Sequence, residues 1–191
     1  MRAFHHSDQM RHDPRFFLTR GTVRPNFEVP ARAESLLAGL GRLGLAAEMA
    51  PLPEVEALEA VHARDYLDFL RTAADDWAAL DSAGPEVVAN VHPTPEMLAQ
   101  GAHAGSGIIG RAGWFTADTA CPIGPGTWEA CLGAAGAALA AAAEAAKGGI
   151  AYALCRPPGH HAYAARAGTA TSTTRRSPCG RCGRRARRGW R

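Results

Sequence analysis

Residues Ile150-Ala-Tyr-Ala-Leu-Cys-Arg-Pro-Pro-Gly-His-His-Ala162 decide the fold. The run Ile150 to Cys155 is apolar throughout, which predicts a strand in the buried middle of a parallel sheet. Whatever follows such a strand emerges at the carboxyl edge of the sheet, where open α/β folds bind their ligands. Pro157 and Pro158 fix their own φ and bias the preceding residues toward extended backbone, and Gly159 relieves the turn. His160 and His161 are thereby delivered at that edge with little freedom. A bare His-His pair is ordinarily a solvated turn, but the Pro-Pro-Gly lead-in favours chemistry. A neutral imidazole can take a proton from an activated water near pH 7, and a neighbouring imidazole can return one to a leaving amine.

Working outward, the elements alternate. Ala3-Phe4 begins a first strand, Ala31 to Leu43 reads as a helix opened by Pro30, and Ala46 to Ala50 reads as a second strand before Pro51. Pro53 to Ala60 and Arg64 to Ala73 carry helical spacing, with Tyr66, Leu67, Phe69 and Leu70 as a core stripe. Pro95 to about Ile109 is a predicted helix, and Thr127 is the predicted cap of a long Ala-rich helix. Asp75-Asp76 and Asp81 to Pro85 read as surface loop. Alternating helix and strand is the α/β pattern.

The segment Arg156 to Ala162 resembles the tandem-histidine motif of the zinc-dependent deacetylases, the histone deacetylase superfamily, and within it the bacterial acetylpolyamine amidohydrolase branch. The resemblance extends to His12-Asp13-Pro14 with Phe17 and Gly21, and to Glu28-Val-Pro30-Ala-Arg32-Ala-Glu34. It continues through Val61-His62 with Asp65 to Leu70, and Asp118-Thr119 through Pro122-Ile123 to Gly126-Thr127-Trp128-Glu129-Ala130. Together these cover Met1 to about Gly168.

The resemblance implies an arginase-deacetylase-like parallel sheet with flanking helices, of which this chain holds the N-terminal part. It also implies hydrolysis of an N-acetyl amide by a zinc-activated water, with His160 and His161 as paired general base and acid. In that family the zinc ligands and a carbonyl-polarising Tyr follow the His-His turn, so none is expected in this chain, and zinc binding by the chain itself is not expected. The implied substrate is an acetylated polyamine or an acetyl-lysine-like amide, and a homodimer is an open expectation. Asp118 is a candidate rim carboxylate for a cationic substrate, the alternative being a solvated turn. His12 either shapes the substrate entrance or makes a local hydrogen bond. His5 and His6, after the first strand, face the site or sit in a solvated loop. Ala165 departs from the Asp common at that place in the family.

Charge divides the chain at the same point. Residues 169–191 contain eight Arg and no carboxylate, whereas residues 1–168 hold all 18 carboxylates against 13 cations. The body is net −5 and the tail +8, so the pI of 8.8 describes the tail. A nucleic-acid-binding arm on a non-catalytic α/β domain is the alternative reading. Its Cys179-Gly-Arg-Cys182, one pair with no second, does not close a tetrahedral zinc site. An out-of-frame origin accounts for more. Back-translated with GGC for Gly168 and regrouped from its last base, Thr169 to Gly180 spell H-C-Y-L-N-N-A-A-I-A-V-R, which resembles the family's continuation after its histidines. A frame change near codon 168 therefore leaves residues 1–168 as the N-terminal part of a deacetylase domain and 169–191 as a disordered tail. The chain so truncated is expected to be inactive.

The remaining expectations are brief. Five cysteines give no disulfide framework, and Cys155 is read as a buried small side chain. Charged residues near the start leave no signal-peptide core, so a cytoplasmic protein is expected. Ala130 to Ala146, low in Leu and Ile and carrying Glu144, is read as a soluble helix, with no membrane contact.

Overall fold

The computed structural model describes residues 1–158; Gly159 to Arg191, including His160, His161 and the basic tail, lie outside the described residues. Three parallel strands, β1 (Arg2–His5), β4 (Ala47–Met49) and β5 (Ala151–Ala153), form a sheet in the order β4-β1-β5. Ala3 pairs with Ala47 on one side and Tyr152 on the other. Side chains alternate along β1, and both faces are covered. Ala3 packs with Ala33 and Leu40 of α1 (Pro30–Arg42). Phe4 packs with Ala137 and Ala141 of α6 (Thr127–Ala146). Among the described residues the central strand is β1, not the expected Ile150–Cys155 run. Only three residues of that run pair as strand, and Ile150 is 73% exposed.

Close packing against α6 explains its Ala-rich sequence. Gly136 lies where an added Cβ would stand 2.2 Å from the Pro51 carbonyl oxygen, so the helix approaches the chain after β4 nearer than any side chain allows. The helix is apolar and long enough by composition to cross a membrane, yet Ala130, Ala134 and Ala137 are fully buried inside the fold. It is a core helix here.

A second core joins α3 (Arg64–Ala78) to α5 (Ile108–Phe115). Tyr66, Leu67, Phe69 and Leu70 are buried in it as expected, with Phe69 and Phe115 stacked at 5.0 Å. Val87 and Ile123 join the same cluster through an isolated antiparallel bridge.

Four expectations are corrected. The helix from Pro95 stops at Ala99, as α4, because Gly101 and Gly105 turn the backbone through positive φ before α5 begins. Asp75 and Asp76 are not loop: α3 runs to Ala78, and the Asp76 carboxylate accepts from Thr72 Oγ1 at 2.8 Å and lies 3.3 Å from Arg111. Thr127 is the first helical residue rather than the cap. The cap is Gly126 at φ 79°, where a Cβ would meet the Arg11 carbonyl oxygen at 2.6 Å. The helix from Pro53 is reduced to α2 (Val55–Glu59). A hairpin of β2 (Phe16–Thr19) and β3 (Thr22–Pro25) escaped the sequence reading, since its turn places Arg20, no usual turn former, at φ 50° beside Gly21 at φ 73°.

The packing of α6 predicts opposite outcomes for two glycine substitutions. Gly136→Ala should lower stability by about 1–3 kcal/mol through overpacking against Pro51. Gly39→Ala in α1, whose new methyl would meet only the Arg42 side chain at 3.7 Å, should raise it by about 0.5–1 kcal/mol. Urea denaturation of both variants checks the pair.

Candidate active site

The carboxyl ends of β1 and β5 lead into the segments that build the site. After β1 the chain enters a 3-10 helix (Ser7–Arg11), opened by His6, whose Nδ1 accepts the Asp8 amide at 3.2 Å. After β5, Arg156 turns inward and is 2% exposed. Its amide donates to Gln9 Oε1 at 2.6 Å, and its guanidinium donates to the carbonyls of Gln9 (2.5 Å), His12 and Glu28 (2.7 Å). Its Nε also lies 3.0 Å from Glu28 Oε1, a charge contact whose angle falls outside hydrogen-bond geometry. Burial lowers the Arg156 pKa to about 10, so it keeps its charge at neutral pH. Glu28 also pairs with Arg32, four residues on in the first turn of α1.

Beside this cluster opens a cavity of about 360 Å³, walled by His12, Phe17, Phe27, Glu28, Cys121 and, from the end of β5, Pro157 and Pro158. Phe17 and Phe27 meet at 5.9 Å across its apolar side. The cavity thus lies past the carboxyl end of β5; His160 and His161, the expected catalytic pair, lie outside the described residues.

His12 is a wall residue, 4% exposed, and its hydrogen bond is not local. Nδ1 lies 2.9 Å from Thr127 Oγ1, at the start of α6. That hydroxyl also accepts the Gly124 amide at 2.9 Å. Burial, with the Arg156 charge second, lowers the His12 pKa to about 3, so the ring is a neutral group at physiological pH. Asp118 is partly buried, and its Oδ1 accepts the Ala120 amide at 2.7 Å; it stands two residues before the cavity residues Ala120 and Cys121 but is not one of them. His5 and His6 are partly buried rather than solvated, and neither lines the cavity. Cys155 is partly buried, its Sγ set 3.3 Å from the Ala134 carbonyl, and burial raises its thiol to about 11.

Arg156, Gln9 and Glu28 were missed by the sequence reading. Glu28 and Arg156 stood inside the quoted motifs, but nothing local marked their contacts, the hydrogen-bond partners of Arg156 lying 128 to 147 positions away. Among the described residues no group of three or more His, Cys, Asp and Glu is placed to hold a metal ion. Zinc does not fit the donors that residues 1–158 supply.

A parallel sheet covered on both faces, with a cavity where its strands end, defines an α/β protein of the arginase-deacetylase type. A Histone deacetylase domain profile matches residues 26–169. The chain belongs to the histone deacetylase family. It is 38% identical over 170 residues to an acetylpolyamine amidohydrolase of Burkholderia pseudomallei, covering 88% of this chain and 48% of that one. It is 35% identical over 164 residues to acetylpolyamine amidohydrolase 1 of Pseudomonas aeruginosa, covering 85% and 47%. The crystal structure of the acetylpolyamine aminohydrolase from Burkholderia pseudomallei superposes with a TM-score of 0.82 at 36% identity, over 91% of this chain and 50% of that one. The HDA15 HD domain shares the fold at TM-score 0.55 and 17% identity, over 92% of this chain and 41% of that one. The chain spans about half the length of the curated relatives it matches.

The buried neutral His12 couples stability to pH. Its folded pKa of about 3 lies below the ordinary 6.5, so its contribution is fully present above pH 6.5 and is lost as pH falls toward 3. His5, also lowered by burial, acts in the same sense. Stability to urea should fall below pH 6.5 with a slope of up to about 1.4 kcal/mol per pH unit from His12 alone, and His12→Asn should reduce that slope.

Proposed function

We propose that the protein hydrolyses the amide bond of small N-acetylated amines, acetylated polyamines first and acetyl-lysine-like amides second. The observation that carries this reading is the cavity whose wall ends at Pro157-Pro158, one residue short of a His-His pair in a chain of this family. The apolar Phe17 and Phe27 suit an alkyl chain, and His12 offers a neutral donor. His160 takes the proton of the attacking water as oxygen bonds to the carbonyl carbon. His161 delivers a proton to the departing nitrogen as the C–N bond breaks, leaving acetate and a free amine. Asp118, beside the cavity residues, attracts the cationic end of the substrate.

Zinc, implied by the family, is assigned to residues encoded beyond the frame change, since the donors within residues 1–158 do not fit it. Residues 169–191 are proposed to be read out of frame, so that the 191-residue chain is by itself inactive; the intact protein is placed in the cytoplasm, with self-association into a homodimer open to size measurement. Acetate release from N-acetylputrescine tests the reaction. Protein expressed with the frame restored after Gly168 should release acetate, the 191-residue chain should not, and His160→Ala or His161→Ala should lower the restored rate by about 10²- to 10⁴-fold. A restored protein that releases none, or histidine variants at full rate, would sink the reading. Salt-sensitive nucleic-acid binding lost on deleting residues 169–191 would instead favour a basic arm.

A further inference from the structure

We propose that Arg156 is a positioning residue for this site: its buried guanidinium holds the two segments that wall the cavity, residues 9–12 and 26–28, against the exit of β5. Three backbone carbonyls, of Gln9, His12 and Glu28, converge on one side chain, and the Arg156 amide adds the Gln9 side chain. His12 and Glu28 lie outside helix and strand, where no ladder satisfies their carbonyls. A planar fork of five donors reaches several acceptors at fixed angles, whereas a lysine ammonium presents a single flexible point charge. Glu28 completes the arrangement by placing its carboxylate 3.0 Å from Nε and pairing with Arg32 on α1. Both walls of the cavity thus hang from the residue that immediately precedes Pro157.

The proposal rests on the reading above only for what the cavity is used for, and its test needs no turnover. The full 191-residue chain, labelled with 15N, is compared with Arg156→Lys and with Leu70→Ala, a core truncation that shares none of these contacts. Two signals are followed: the His12 imidazole between pH 4 and 8, assigned with His12→Asn, and amide exchange at Gln9, Arg15, Asn26 and Glu28 against α3 and α6. The charged groups around His12 are Arg156, Glu28 on the facing segment, Arg32 on α1, and Arg11 and Asp13 beside it. Because lysine retains the positive charge, a change in His12 reports hydration of the loosened wall.

In the wild type His12 should not titrate in this range. In Arg156→Lys it should begin to titrate, and exchange at the four loop amides should rise by about 10- to 100-fold with α3 and α6 unchanged. Leu70→Ala should raise exchange in α3 and leave His12 silent. The proposal is overturned if His12 and the loop amides are unchanged in Arg156→Lys, if exchange rises equally in α3 and α6, if cooperative folding is lost altogether, or if Leu70→Ala reproduces the His12 signature. Failure of acetate release in the restored protein, with these results in place, would remove the enzymatic reading and leave the role of Arg156 standing.

Discussion

The buried Arg156 cluster is the interaction on which the rest of the site depends. A guanidinium withdrawn from water is costly unless its donors are taken up. Here they are taken up by backbone carbonyls of two segments far apart in sequence, with the Glu28 carboxylate balancing the charge. The same contacts that compensate the charge bring the chain after β1 and the chain before α1 to the end of β5. Removal of the carboxylate or of the carbonyls would leave an uncompensated buried charge, which links the cavity wall to the stability of the fold.

Two other features hold that wall in place. The 3-10 helix after β1 packs against α6, where Gly133 leaves room for His6 and Gln9. Close approach of this kind requires the Ala and Gly that fill the helix. Thr127, at the start of α6, then ties His12 to that helix, its Oγ1 lying 2.9 Å from Nδ1 while it accepts the Gly124 amide. Backbone packing thus reaches the cavity through a single hydroxyl. The Ala-rich helix is the platform for this wall.

Legibility in the sequence followed range. The strand at Ala3-Phe4, the helix opened by Pro30 and the apolar stripe of α3 are local patterns of period 2 or 3.6, and they were read correctly. Arg156 to Pro158 follow the carboxyl end of β5, as the apolar run before them led one to expect. Errors arose where glycines at positive φ overrode helical composition, at Gly101, Gly105 and Gly126, and where Asp76 found Arg111 and stayed helical. His12 was singled out, but its partner 115 residues away was not, and Arg156 was read only as the first residue of the histidine motif. Long-range hydrogen bonds carry no periodicity, so the chemistry-bearing motif was visible while the scaffold that orients it was not.

The family profile ends at residue 169, where the composition turns from acidic and apolar to arginine-rich. The central claim is that residues 1–168 are the front part of a deacetylase site whose continuation is written in another frame. Sequencing the coding DNA across codons 166 to 170 and about 500 bases onward tests it most directly, that length being what a full domain of this class requires at roughly twice the chain's coherent span. The account predicts one further base, or four, near codon 168, followed by an open frame that begins His-Cys-Tyr-Leu-Asn-Asn and runs on. Bases that encode Thr169 to Arg191 as they stand, with no such frame downstream, would contradict it and make the arginine-rich arm a genuine part of the protein.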